Sequence, residues 1–159
     1  MKKIALTGNN GRGKFALVDD GDYEKVNKYK WYLSSRGYVV RTRVVAEGKG
    51  SMRIHRFLMN CPVNKMVNYK DMDTLNNQKS NLRLCTRAQN SYTRGLQKSN
   101  TSGYKGVTWS KQSKKWRAVI EYQKKKIHLG VFEKIEDARD AYNSAASKYH
   151  GEFAWLNNA

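Results

Sequence analysis

Acidic residues, cysteines, histidines and long apolar runs are all scarce in this sequence, and each shortage excludes a class of protein. No run approaches the roughly 18 apolar residues of a membrane-spanning helix, and the first residues do not have the form of a signal peptide, so we expect a soluble, intracellular protein. Cys61 and Cys85 stand apart, with neither a CxxC pair nor a nearby histidine set, which predicts buried thiols rather than structural zinc. His55, His128 and His150 are the only histidines, and they limit any histidine-based chemistry.

The shortage of acidic residues leaves a large positive charge. The 159 residues include 31 lysines and arginines against 13 acidic residues, a formal net charge of +18. From Leu84 to Lys126 there are eleven basic residues and one acid, Glu121. This excess favours a polyanionic partner. The basic residues alternate with aromatic ones, which favours a folded nucleic-acid-binding surface over a disordered tail; these aromatic residues are Trp31, Tyr32, Tyr38, Trp109, Trp116 and Tyr122.

The first 90 residues predict a small β-rich unit. Short apolar runs at Phe15 to Val18 and Tyr38 to Val40 are separated by turn signals, and Asp22 is placed to cap a helix from Tyr23 to Tyr29. The apolar stretch from Ile54 to Met59 is interpreted as a half-buried strand. A polar loop from Asn68 to Ser80 follows, then Asn81 to Cys85 and a helix that starts near Thr86.

The last third of the chain predicts three strands followed by one helix. The strands run from Gly106 to Trp109, Trp116 to Tyr122 and Lys125 to Leu129, and successive side chains alternate between an apolar and a basic face. Apolar residues from Ile135 to Tyr149 recur at three-and-four spacing up to Gly151, as in an amphipathic helix. The helix would cover the apolar face, and the basic face of a sheet this narrow could enter a major groove about 12 Å wide.

The segment 91–102 has no periodicity and is rich in Ser, Thr, Asn and basic residues. Two interpretations are equally open. It is either a plain solvated linker or a linker that follows a phosphate backbone through Arg94 and Lys98.

The C-terminal residues 103–159 resemble the Apetala-type, or ethylene-response-factor, DNA-binding domain. The resemblance lies in Tyr104 to Val107, Leu129 to Phe132, the pairs Ala141-Tyr142 and Ala145-Ala146, and the ending Gly151 to Ala154. It implies a three-stranded antiparallel sheet, packed on one α-helix, that lies in the major groove. The positions that would then face DNA are Lys105, Thr108, Ser110, Arg117, Val119, Glu121, Lys126 and His128. Lys111, Lys114 and Lys115 would contact phosphates from a turn. Several arginines of the plant family are missing, as at Thr108 and Ser110, so the target sequence cannot be carried over.

Upstream, the stretches FALVDDGDYEKVNKYKWY, MRIHRFLM and NNQKSNLRLCTRAQN resemble the HNH homing endonucleases of phages and organelles. The resemblance implies a ββα-metal-like domain with an Asp-His pair and a later Asn. The Asp and that Asn hold a divalent metal ion, and the His is the general base. Here the Asp-His pair is Asn68-Tyr69, while Asn77 and Asn81 are kept.

These replacements predict a damaged nuclease centre. Asn68 offers a neutral oxygen where a hard cation prefers a carboxylate, and a tyrosine hydroxyl, with an ordinary pKa near 10, is almost fully protonated at neutral pH. His55 is interpreted as structural, with rescue of the chemistry by His55, or by a metal held at Asp71 and Asp73, as the alternative. Mg²⁺ or Mn²⁺, held by Asn68 and Asn81, is expected only if the protein is a nuclease.

The sequence thus predicts an α+β protein with an HNH-like domain at 1–90, a basic linker at 91–102 and a DNA-binding domain at 103–159. The expected partner is double-stranded DNA, with no membrane and no small-molecule substrate, and we expect a monomer in the cytoplasm of a bacterial host, associated with the nucleoid or with phage DNA. The predicted function is a sequence-specific regulator or site-occluding factor. The alternatives are an active metal-dependent nicking endonuclease and an RNA-binding protein.

Overall fold

The computed structural model describes residues 1–43 and 48–158, and it confirms the α+β class. The chain forms two compact units, Met1–Thr86 and Arg87–Ala159. In the described ranges, no helix has the length and apolarity needed to cross a membrane.

The first unit is built on a five-stranded sheet of order β2-β1-β3-β4-β5. Its strands β1 and β3 are parallel, and the other neighbours are antiparallel. A separate antiparallel pair, β6 and β7, frames the polar loop. The elements are β1 Lys2–Thr7, β2 Phe15–Val18, α1 Asp20–Asn27, β3 Trp31–Leu33, β4 Val39–Thr42, β5 Ser51–Arg53, α2 Ile54–Leu58, β6 Met66–Tyr69 and β7 Leu82–Cys85.

The core of this unit is centred on Trp31, which is fully buried and donates its indole N–H to the Val26 carbonyl over 2.9 Å. Alternation along β1 places Ile4 and Leu6 in the same core while Lys3 and Ala5 remain exposed. Of the two expected buried thiols, Cys85 is buried and Cys61 is half-buried.

The helix near Asp22 begins earlier than expected. It starts at Asp20 after Asp19, and no side chain caps it. Asp19 instead accepts hydrogen bonds from the Lys79 backbone N–H at 2.8 Å and from the Gln78 amide at 3.3 Å. Asp22 is buried and pairs with Lys79 at 2.8 Å. Capping by Asp22 is therefore wrong, because the polar loop, more than fifty residues later, takes up both carboxylates.

The half-buried strand expected at Ile54 to Met59 is also wrong, because Ile54–Leu58 is a helix. Its buried residues are Ile54, His55 and Leu58. His55 and Leu58 follow Ile54 by one and four residues, which places the three on one face of a helix. Buried and exposed positions do not alternate as they would in a strand. The strand of this region, β5, ends at Arg53, just before the apolar stretch.

The second unit is a three-stranded antiparallel sheet of order β10-β9-β8 with a long helix on one face. Its elements are α3 Arg87–Tyr92, β8 Val107–Ser110, β9 Lys115–Tyr122, β10 Lys125–Phe132, α4 Ile135–His150 and a short 3-10 helix, Gly151–Phe153. The strands and the helix lie where the sequence predicts them, although β10 is longer because an irregularity between His128 and Gly130 resets the pairing and lets it continue.

Close packing of α4 on this sheet depends on small residues. Ala118, Ala138 and Ala146 are fully buried between helix and strands. Gly106 has φ +77°, and a Cβ at this position would lie 2.2 Å from the Tyr142 ring. Glycine at position 106 is therefore required both by its backbone conformation and by the aromatic ring beside it.

Candidate functional site

The asparagines and the tyrosine of the predicted nuclease centre lie in and around the polar loop between β6 and β7. Asn68 and Tyr69 end β6, and the register pairs them with Arg83 and Leu82 of β7. Two backbone hydrogen bonds join the loop to β2, from Leu17 N–H to the Leu75 carbonyl and from Asn77 N–H to the Leu17 carbonyl, each 2.8 Å long. All four residues, Asn68, Tyr69, Asn77 and Asn81, are buried, and the structure brings Tyr69 into direct contact with Asn77.

A hydrogen-bonded chain of three side chains crosses this centre. His55 Nδ1 lies 2.7 Å from the Tyr69 hydroxyl, and the hydroxyl lies 2.8 Å from Asn77 Oδ1. The Asn77 amide nitrogen donates to the carbonyls of Thr74 and Leu75, each at 3.1 Å. His55 reaches Tyr69 because it lies on α2, and α2 packs against β6.

The donor and the acceptor of each hydrogen bond can be assigned by starting from the two backbone carbonyls that contact Asn77. The Thr74 and Leu75 carbonyls can only accept, so the Asn77 nitrogen faces them and Asn77 Oδ1 faces Tyr69. The Tyr69 hydroxyl must then donate to Asn77, and its oxygen accepts from His55 Nδ1–H. The Tyr69 proton therefore points to Asn77 inside the protein, and the Tyr69 oxygen accepts the N–H of His55.

Burial fixes the charge state of both rings. Burial, and to a smaller extent the charges of Arg53 and Arg56, lowers the pKa of His55 to about 3. Burial raises the pKa of Tyr69 far above its usual range. The imidazole and the phenol are therefore neutral at physiological pH, and Tyr69 has no tendency to act as a base.

The oxygen atoms that the resemblance assigns to a divalent cation are already engaged. Arg83 Nε donates to Asn68 Oδ1 over 3.0 Å, and the Asp71 backbone N–H donates to Asn81 Oδ1 over 3.0 Å. Both residues are neutral, whereas hard metal ions prefer anionic oxygen. A guanidinium at Asn68 also repels a second cation. These residues, as arranged, do not fit a divalent metal ion.

Asp71 and Asp73, the alternative metal ligands, organise the loop. Asp71 accepts from the Asp73 backbone N–H at 2.8 Å and from the amides of Asn76 and Asn81 at 2.7 and 2.8 Å. Desolvation raises the pKa of Asp71, but these hydrogen bonds outweigh it and hold the pKa below its ordinary value. Among the residues that the structure describes, no three His, Cys, Asp or Glu side chains form a group suited to a metal ion.

The open face of the second unit carries the residues predicted to meet DNA. Cross-strand pairing places Thr108 opposite Arg117, His128 opposite Val119, and Lys126 opposite Glu121. Since directly paired residues share a face, these six form one surface, which we call the reading face. Ser110 and Lys115 form the next pair of that face, and Lys111 and Lys114 are exposed in the turn between β8 and β9.

Lys105 lies apart from the reading face. Its ammonium donates to the carbonyls of Tyr92 and Arg94, at 2.7 and 2.6 Å, so it binds the segment before the sheet. Burial and the charge of Arg94 lower its pKa to about 8. Arg94 and Lys98 are exposed on that segment.

Sequence reasoning missed the stacking of Tyr92 on His150. The ring centroids are 3.8 Å apart and the planes differ by 6°. His150 Nε2 donates to the Glu121 carbonyl over 2.8 Å, and burial lowers the pKa of His150. No local pattern joins two residues 58 positions apart in the chain. The signal available was Tyr92 itself, the aromatic residue of a mainly polar segment.

Comparison with known proteins finds a family model that matches a short stretch of the chain and relatives that align with more than half of it. A family model described as HNH endonuclease matches residues 60–92, which include the polar loop. An uncharacterized HNH endonuclease of Acanthamoeba polyphaga mimivirus is 35% identical over 158 residues, covering 91% of this chain and 75% of that protein. Protein 3.8 of Escherichia phage T7 is 33% identical over 93 residues, covering 58% of this chain and 76% of that protein. No solved structure matches.

Proposed function

The chain belongs to the HNH endonuclease family, and from this premise we propose that it is a sequence-specific duplex-DNA-binding protein whose nuclease centre has become a structural scaffold. It would act as a regulator or as a factor that occludes its site. A relative from an Escherichia phage favours phage DNA in a bacterial cell as its place of action.

The observation that carries the loss of catalysis is the buried chain from His55 through Tyr69 to Asn77. A general base must accept a proton from water at the reacting centre. Tyr69 stands at the position of the family base, and its own proton is directed to Asn77 at 2.8 Å. The Arg83 guanidinium further opposes metal binding at Asn68. Tyr69 therefore does not supply the base of the family reaction, and Asn68 does not supply its anionic metal ligand.

DNA binding is supported by the exposed chemistry of the second unit. The reading face combines Arg117 and Lys126 with His128 and Thr108, and Arg and Lys are the side chains that most often contact guanine edges in the major groove. Its likeness to the Apetala-type domain supports insertion of the sheet into that groove. Because two unlike units would give asymmetric recognition, we propose that a monomer binds.

An active nuclease with an altered centre is the second candidate. It is favoured by the position of His55, whose ring nitrogen lies 2.7 Å from the Tyr69 hydroxyl. Burial lowers the pKa of His55 to about 3, so the ring is neutral but is a weak proton acceptor, and it is only 3% exposed. Water activated by this ring would have to enter the packed interior.

Selection of bound duplexes from a random pool, followed by a cleavage assay on the selected duplex with Mg²⁺ or Mn²⁺, tests the proposal. We expect a defined sequence motif that remains uncut. Metal-dependent nicking that disappears in Asn81→Ala would instead establish the nuclease, since a contaminating enzyme would be unaffected by that change. Competition with structured RNA completes the test, and preferential RNA binding would replace duplex DNA as the ligand.

A further inference from the structure

The segment 91–100 is fixed to the second unit at several points. Tyr92 stacks on His150, and the Lys105 ammonium holds the carbonyls of Tyr92 and Arg94. Further along, Gly95 lies so close to Trp155 that an added Cβ would be 3.2 Å from the indole. These contacts hold the backbone of the segment 91–100 against the second unit, so a ligand would not have to order it. We call this segment the wall.

A groove of about 800 Å³ lies between this wall and the sheet. On one side it is lined by residues of the segment, including Arg94, Gln97 and Ser99. On the other side it is lined by Thr108, Val119, Glu121 and Lys126, four of the six residues of the reading face. The groove thus opens directly onto the surface proposed to read DNA.

The chemistry of the groove suits a chain of phosphates. Arg94, Lys105 and Lys126 contribute three cations against one acid, Glu121, and the remaining polar side chains of the lining are hydroxyls, amides and the imidazole of His150. The Lys105 ammonium donates to the Tyr92 and Arg94 carbonyls, and burial with the charge of Arg94 lowers its pKa to about 8. Two neighbouring cations form a favourable position for an anion.

We propose that this groove holds the phosphodiester backbone of one DNA strand, next to the base pairs that contact the reading face. The inference rests on the proposed function and extends it, because it adds a backbone site formed by residues that precede the sheet. Arg94 is the contacting residue, and Tyr92, His150 and Lys105 are positioning residues that hold the wall in place.

Arg94 and Lys98 form a matched pair for the test, because both are exposed cations of the same segment but only Arg94 lines the groove. Binding of the full chain to the selected duplex is measured against salt concentration for Arg94→Ala and Lys98→Ala. We expect Arg94→Ala to weaken binding roughly tenfold, the effect of losing a hydrogen bond to a charged group, and to reduce the salt slope by about one unit. Because Lys98 does not line the groove, the inference excludes the phosphate contact that the sequence left open for it, and Lys98→Ala should retain the wild-type slope.

Tyr92→Ala tests whether the wall must be held in place, with Tyr92→Phe as the control that keeps the stacked ring. Tyr92→Ala should weaken binding to a similar degree, and adding Arg94→Ala to it should change little further. Tyr92→Phe should bind like the wild type. Circular dichroism verifies that the variants remain folded, and if Tyr92→Ala does not fold, the comparison of Arg94 with Lys98 still decides the question.

The possible outcomes separate this inference from the function on which it rests. A wild-type protein that binds no duplex would remove the proposed function and the ligand of the groove together. A wild-type protein that binds, with equal effects of Arg94→Ala and Lys98→Ala, would overturn the groove alone. Tighter binding by Tyr92→Ala would also overturn it, because the segment would then cover the reading face rather than hold a strand.

Discussion

The polar residues of the two units are arranged in opposite ways. In the first unit, His55, Tyr69 and Asn77 are buried and satisfy one another. In the second unit, Arg117, Glu121 and Lys126 are exposed on the reading face. The difference indicates what each set can do, because buried groups that are fully paired stabilise a loop, whereas exposed groups remain available to a ligand.

The two arrangements also differ in how they respond to substitution. Removing one member of the buried chain leaves its partners without hydrogen bonds inside the protein, so the stability of the first unit should fall. Removing a reading-face side chain leaves the fold intact and should change DNA binding alone. The four predictions below test this contrast in order of decreasing effect.

Asn77→Ala should have the largest effect. It removes the acceptor of the Tyr69 hydroxyl and the donor to the carbonyls of Thr74 and Leu75. Leaving these groups unsatisfied should lower the free energy of unfolding by about 3 to 4 kcal/mol in urea titrations. Asn64→Ala, at an exposed position of the same unit, is the control and should cost about 0.5 kcal/mol or less. Equal losses would show that the buried chain does not hold the loop.

Arg117→Ala should reduce binding of the selected duplex by roughly 1 to 3 kcal/mol and relax base preference at one position. The free energy of unfolding should hardly change, because Arg117 is exposed on β9. Affinities for a panel of single-base variants of the duplex provide the measurement. A loss of equal size for every sequence would assign Arg117 to a phosphate instead of a base.

Stability of the first unit should fall at mildly acid pH because of His55. Its pKa is about 3 in the folded protein and 6.5 in the unfolded chain. The unfolded chain therefore binds the proton first, so this contribution to stability is present above pH 6.5 and is lost as the pH falls toward 3. Between pH 7 and 5.5 the loss should be about 1 kcal/mol. In His55→Gln, urea unfolding should lose this part of the pH dependence; an unchanged dependence would assign it to other groups.

Lys114→Ala should have the smallest effect. Lys114 is exposed in the turn after β8 and is predicted to contact a phosphate, so its removal should weaken all sequences alike and reduce the salt slope by about one unit. Lys148→Ala, on the exposed side of α4, provides the control. If both variants keep the wild-type slope, the turn lies outside the DNA interface.

Local patterns were sufficient for the sheet and the long helix of the second unit, but not for the segment that precedes them or for the polar loop of the first unit. Alternation along Lys115–Tyr122 and the three-and-four spacing of Ile135–His150 predict the sheet, the helix and the face that remains open. These patterns arise from neighbours within each element, so a linear reading finds them.

Two of the missed features depend on partners far apart in the chain. Asp19 serves the loop rather than its own helix because Lys79 is folded against it. The helix that carries His55 had a local signal, the burial of Ile54 and Leu58 four residues apart, but its length of five residues is also that of a strand. Tyr92 is held by His150. The Asn68-Tyr69 replacement was visible from the sequence, but the direction of the tyrosine proton required the carbonyls that orient Asn77.

The burial of Trp31 has an optical consequence. It is the single tryptophan of the first unit, while the other three, Trp109, Trp116 and Trp155, belong to the second unit. A fully buried indole emits at shorter wavelength than one in water, so a chain that retains Trp31 and carries phenylalanine at the other three positions would shift its fluorescence only when the first unit unfolds. The order in which the first and the second unit lose structure could then be followed without any attached label.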